Sequence, residues 1–212
     1  MRRRNLRSLI LACLMLPLGS PGQHAVADER LDARVEAFLE ARRGSWRDMN
    51  VPSGDGRFLH DMIVERGYTR ALEIGTSTGH STVWLAWAMS RTGGKVTTIE
   101  IDRGRHEEAV SNLREAGLLE YVDARLGDAH ELVKTLPGPF DFVFSDADKE
   151  WYTQYFVDVA PKMLPGGCYT SHNIRMRGMR EYVAYLEGRS DFETSIEDDR
   201  TSGIGVTCRN QD

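Results

Sequence analysis

The chain has 212 residues, 28% of them charged, with a formal net charge of −5. That length suits one domain with a sizeable core, and an acidic balance with no concentrated basic patch argues against nucleic acid as a partner. Three cysteines are too few for a disulfide framework, and no Cys-x-x-Cys pair suggests zinc.

Residues 1–27 carry the three parts of a secretory signal peptide. Arg2, Arg3, Arg4 and Arg7 precede an apolar run from Leu9 to Leu18, and the small-x-small site Ala25-Val26-Ala27 stands before Asp28. The run is shorter than the ~20 residues of a spanning helix. The expectation is therefore cleavage and export, to the periplasm or beyond, of a single domain over residues 28–212 with no stable membrane anchor. Arg3-Arg4-Asn5-Leu6 also hints at a twin-arginine signal, which implies export of a folded protein. A misassigned start would instead leave the protein in the cytoplasm. Cys13 departs with the leader, and Cys168 and Cys208 remain. Export permits one bridge between them; two small buried apolar residues is the other reading.

In chain order, Leu31, Val35, Phe38 and Leu39 follow helical spacing, as do Phe58, Leu59, Met62 and Ile63. A short strand over 70–74 follows, then a nearly all-apolar helix over 83–89 that must be buried, which assigns Trp84 and Trp87 to the core. Next come a strand over 96–101, a helix face at Ala109, Val110, Leu113 and Ala116, a strand over 121–126 and a short helix over 130–136. A strand over 140–145 leads to a helix with Tyr152, Tyr155, Phe156, Val159 and Met163 on one face. A buried strand entered through Gly166-Gly167 ends in Ser171-His172-Asn173. A helix at Met179, Tyr182, Val183 and Leu186 and two last strands, about 192–196 and 204–208, complete the chain. Strand and helix alternating over one domain predict an α/β fold, a mostly parallel sheet covered on both faces.

In such sheets ligands sit beyond the carboxyl ends of the strands, so the strand ends are where chemistry is sought. The first ends in Glu73-Ile74-Gly75-Thr76-Ser77-Thr78-Gly79-His80-Ser81, where Gly75 permits a sharp turn and Gly79 stands where a helix begins. The spacing is Gly-x-x-x-Gly, without the third glycine of a dinucleotide site. The second strand ends at Glu100, followed by Ile101 and Asp102, where an acid can hold ribose hydroxyls. The third ends in Gly127-Asp128-Ala129. Three successive polar strand ends point to a nucleoside cofactor. The fourth, Ser145-Asp146-Ala147-Asp148-Lys149, reads either as an exposed ion pair opening a helix or as a hard-cation ligand beside a general base. The fifth brings Ser171, His172 and Asn173 alongside it.

These residues resemble the class I S-adenosylmethionine-dependent O-methyltransferases of the catechol and caffeoyl-CoA type, over about residues 46–208. The resemblance implies a Rossmann-like sheet of seven strands with the last antiparallel, S-adenosylmethionine as cofactor, and methyl transfer to a hydroxyl of a small phenolic or catechol-like acceptor. Met49-Asn50-Val51 looks like the segment that closes over cofactor and substrate. Glu73, Gly75, Thr76, Ser77, Gly79 and Ser81 resemble the methionine-binding loop, Glu100 with Ile101 the ribose site, and Asp128 with Ala129 the adenine side. Asp146 is similar to the first metal-binding aspartate, beside the cofactor, and Lys149 to the lysine that helps deprotonate the acceptor. The family often pairs as homodimers. Its strand order sets the fifth and seventh strands side by side, which makes a Cys168–Cys208 bridge conceivable.

The departure is His172-Asn173, where the family carries Asp-Asn as metal ligands after Asp146. Imidazole for carboxylate removes a negative charge and disfavours Mg²⁺ or Ca²⁺, while suiting Mn²⁺, Fe²⁺, Co²⁺ or Zn²⁺. Three readings of His172 stay open: a ligand with Asp146 and Asn173 for a softer divalent cation, a catalytic base in the metal's place, or part of a site without catalysis. The last corresponds to an exported domain that binds the nucleoside cofactor without turning it over. A nicotinamide-dependent oxidoreductase is disfavoured by the missing glycine.

Overall fold

The computed structural model describes residues 21–46, 48–197 and 203–211, with side chains from Glu29 onward. The leader assigned to residues 1–27 lies outside the described residues up to residue 20, and α1 (Pro21–Ala41) includes the rest. Then follow α2 (Ser53–Arg66), β1 (Arg70–Ile74), α3 (His80–Thr92), β2 (Lys95–Glu100), α4 (Arg103–Ala116), β3 (Val122–Leu126) and α5 (Ala129–Thr135). After them come β4 (Phe140–Ser145), α6 (Tyr152–Val159), β5 (Met163–His172), α7 (Arg180–Glu187), β6 (Phe192–Glu197) and β7 (Ile204–Arg209).

The strands form one sheet in the order β3-β2-β1-β4-β5-β7-β6. β1 to β5 run parallel, and β7 is antiparallel to both neighbours. Side chains alternate between two cores, as period-2 geometry requires. Ala71, Phe142, Phe144 and Cys168 meet the face covered by α2, α3 and α4, whereas Leu72, Ile74, Val143 and Tyr169 meet α5, α6 and α7. Trp84 and Trp87 are buried in the first core, as expected.

Two differences have local causes. Met163 keeps helical spacing but begins β5, because Pro161 and the chain beyond it end the helix at Val159. The paired strands β5 and β7 set Cys168 directly opposite Cys208, and a disulfide joins them, which settles the choice between bridge and free thiols. Among the described residues no helix is long and apolar enough to cross a membrane.

The chain order reverses between β1 and β4, which are neighbours although α3, β2, α4, β3 and α5 lie between them in sequence. The carboxyl ends of β1, β2 and β4 therefore splay around a crevice, the usual ligand position in this class of sheet.

Candidate active site

A cavity of about 340 Å³ occupies that crevice, lined by Gly75, Ser77, Glu100, Ile101, Asp128 and Asp146 together with Met49, Ala129 and His130. A second cavity, of about 450 Å³, opens at the strands' amino ends beside Arg70, Lys95 and Phe140; ligands of open α/β sheets bind at the other edge.

The loop after β1 is shaped by close approach. Gly75 has φ +99°, and a Cβ there would lie 2.9 Å from the Asp146 carbonyl oxygen, so only glycine lets β1 and β4 end this near one another. Glu100, 5% exposed, accepts from Ser77 N at 2.7 Å through Oε2 and from Asp102 N at 2.9 Å through Oε1. Those two bonds fix its carboxylate at the rim with lone pairs to spare. Ser77 Oγ is buried without a hydrogen-bond partner, an orphan that a ligand hydroxyl or amine would satisfy. Ile101 and Met49 stand 66% and 65% exposed, apolar flanks suited to a purine ring.

Other residues assigned to the cofactor serve from behind the cavity wall. Glu73 is fully buried and accepts from the hydroxyls of Ser81, Thr82 and Thr98, each at 2.5 Å. Burial pushes its carboxyl up to about 7, while the three hydroxyls pull the other way. Ser81 thus points to Glu73 and not into the crevice, and the pair anchors the start of α3. Thr76 Oγ1 pairs with Thr98 Oγ1 at 2.5 Å. Gly79 is the left-handed residue before α3, packed on Ala109. Val51 offers its carbonyl to His80 Nδ1 at 2.8 Å, and burial holds His80 below its ordinary range. Because Nδ1 donates to that carbonyl and Nε2 accepts from Trp84 Nε1 at 3.2 Å, the ring is neutral. It pins the Met49-Asn50-Val51 segment to α3, and Asp48 ties the same segment to Arg105 of α4 at 2.6 Å.

On the other side of Gly75 lies a chain of charges. β4 and β5 pair Ser145 with Ser171, so the residues that follow, Asp146 and His172, face each other as adjacent strand ends. His172 Nδ1 is 3.1 Å from Asp146 Oδ2, and Nε2 is 2.9 Å from Asp55 Oδ2. Asp146 Oδ1 accepts from Lys149 Nζ at 2.5 Å, and Lys149 also donates to Tyr152 Oη at 2.7 Å. Tyr152 in turn donates to the carbonyls of Ser145 and His172. Burial draws the imidazole down, but Asp146 and Asp55 outweigh it and lift His172 to about 9. Tyr152 is held well above its ordinary range by burial and by Asp146. Asn173 adopts φ +59° at the turn out of β5.

The expected metal set does not fit this arrangement. Both ring nitrogens of His172 are directed at carboxylates, and each oxygen of Asp146 already has a cationic partner. Among the described residues no group of three or more His, Cys, Asp or Glu side chains is placed to hold a metal ion. The residue that sequence reasoning missed is Asp55, 1% exposed in the first turn of α2. Arg105, His130 and Tyr155, which also line the crevice, were likewise not singled out.

The model of a family described as O-methyltransferase matches residues 25–180. The chain is 32% identical over 151 residues to a catechol O-methyltransferase of Niastella koreensis, covering 69% of this chain and 66% of that protein. It is 29% identical over 164 residues to a caffeoyl-CoA O-methyltransferase of Populus kitakamiensis, covering 75% and 67%. Among solved structures, the O-methyltransferase TomG of Streptomyces achromogenes, in complex with SAM, superimposes with a TM-score of 0.69 at 28% identity, over 84% of this chain and 89% of that one. With a polar crevice at the strand ends, an Asp146–Lys149 pair beside it and a family model matching most of the chain, this protein belongs to the O-methyltransferase family.

Proposed function

We propose that the chain transfers a methyl group from S-adenosylmethionine to a hydroxyl of a small phenolic or catechol-like acceptor. The observation that carries the reading is that Asp146 lines the same crevice as Glu100, across Gly75 from it, and holds Lys149 on its Oδ1. The bound cofactor supplies an electrophilic methyl on a sulfonium. Glu100 would hold the ribose hydroxyls, Ile101 and Ala129 flank the adenine with Asp128 at its edge, and Ser77 with the amide groups at the start of α3 receive the amino-acid end.

To act as a base, Lys149 must first give up its resting ammonium proton. The acceptor proton passes to Nζ, and the ammonium formed is held by Asp146 Oδ1 and Tyr152 Oη. The acceptor oxygen, so deprotonated, would face the methyl group that the bound cofactor would supply. Most of the rate then comes from in-line positioning and deprotonation.

The Cys168–Cys208 bridge supports the export reading, since disulfides persist in oxidising compartments. In the purified full chain, catechol incubated with S-adenosylmethionine should gain one methyl by mass. Lys149→Ala and Asp146→Ala should each abolish turnover while calorimetry still detects the cofactor. Full activity in either variant contradicts the assignment. Cofactor binding with no turnover on any phenol tried would favour the alternative, a binding domain of the same fold.

A further inference from the structure

We propose that the Asp55–His172 pair takes the place of a divalent cation, holding Asp146 from within the protein so that methyl transfer needs no metal ion. The proposal rests on the methyl-transfer reading of the crevice, and it concerns residues that reading does not use.

A carboxylate only accepts hydrogen bonds. With Asp146 Oδ2 at Nδ1 and Asp55 Oδ2 at Nε2, both ring nitrogens donate, and His172 is an imidazolium. An imidazolium has no lone pair for a metal, because a metal-bound histidine must be neutral. The same geometry removes His172 as the catalytic base: it is 4% exposed and neither nitrogen is free to take a proton. It is a positioning residue that acts through Asp146.

Charge supports the same conclusion. At rest, Asp55 and Asp146 are matched by His172 and Lys149, two carboxylates against two cations in the linear chain Asp55–His172–Asp146–Lys149. A divalent ion added among them would leave an excess of two positive charges in a partly buried site, which its lowered dielectric opposes.

Asp55 is held where it meets His172 by the packing of α2. A Cβ on Gly56 would come within 2.2 Å of Trp84 Cδ1, so the glycine lets α2 lie directly on α3 and brings the preceding residue over the end of β5. Acids this buried persist when paired, and the partner the structure gives Asp55 is His172. The pair joins residues 117 apart in sequence, which marks it as a product of the tertiary fold.

The test uses the full chain after chelator treatment, with Mn²⁺ as the probe and S-adenosylhomocysteine present. Electron paramagnetic resonance should show no loss of the free Mn²⁺ signal on adding wild-type protein, and catechol methylation should run equally fast with chelator, Mg²⁺ or Mn²⁺. His172→Asp should gain Mn²⁺ uptake and become chelator-sensitive. Nitrogen-15 spectra should show two protonated ring nitrogens for His172 in the wild type and lose that signature in Asp55→Ala, which keeps the test open if His172→Asp does not fold. Uptake of one Mn²⁺ by wild type that disappears in Asp146→Ala overturns the proposal, as does turnover that stops with chelator and returns with a cation. If no phenol is methylated under any condition, the methyl-transfer reading fails, while the Mn²⁺ and nitrogen-15 results still decide what the pair does.

Discussion

Replacing Glu73 with Gln should flatten the dependence of stability on pH. Burial holds this carboxyl at about 7 against an ordinary 4.5, so the folded chain keeps its proton over a range in which the unfolded chain has lost it. The stabilisation is fully present below the unfolded value and is lost as pH rises through about 7. A displacement of that size corresponds to roughly 3 kcal/mol, a large share of a typical domain's stability. Glu73→Gln keeps the side chain's volume and an acceptor for Ser81 or Thr82 but cannot ionise. Urea unfolding of both proteins between about pH 4.5 and about pH 8 measures the effect as a difference in slope, which cancels every other titrating group. A wild-type curve that falls across this window while the variant's stays level is expected; equal slopes would refute the assignment of the buried charge to Glu73.

Gly56→Ala should lower stability by about 1–3 kcal/mol despite alanine's better helix propensity, because the new methyl overlaps the buried Trp84 ring; a stabilised variant in thermal melts would contradict the packing of α2 on α3. The chain unfolded without reductant should show no titratable thiol at Cys168 or Cys208. Reducing that bridge should cost about 2–4 kcal/mol in denaturant midpoint experiments, and an unchanged midpoint would contradict its structural role. Asp55→Ala should cost about 3–5 kcal/mol by leaving the imidazolium half-paired in a buried site, whereas a change near zero would show that His172 does not depend on it.

The sequence made the strand ends legible because each ends in a polar residue after an apolar run. Asp146 and His172 were expected to face each other from adjacent strands, and they do. Glu100 and the Gly75 turn were recognisable for the same reason. Glu73 and Ser81 were expected at the cofactor, yet a strand's period-2 pattern does not reveal that Glu73 turns under the loop to meet three hydroxyls. Asp55 left no local trace: it lies in Ser53-Gly54-Asp55-Gly56, a stretch that reads as an ordinary polar helix start. Its meaning depends on how α2 packs across α3, which no window of adjacent residues contains. The disulfide likewise needed the sheet order that sets β7 against β5, and the end of α6 was misjudged because Met163 continues the helical spacing after the helix has stopped.

Calorimetric titration of S-adenosylmethionine into the wild type and into Glu100→Ala tests the cofactor crevice most directly. The wild type should bind at one site per chain, and the variant should bind about 10–100-fold more weakly, the loss expected on removing a hydrogen-bonded carboxylate. No binding by the wild type, or equal affinity in the two proteins, would contradict the placement of the cofactor between Glu100 and Asp146.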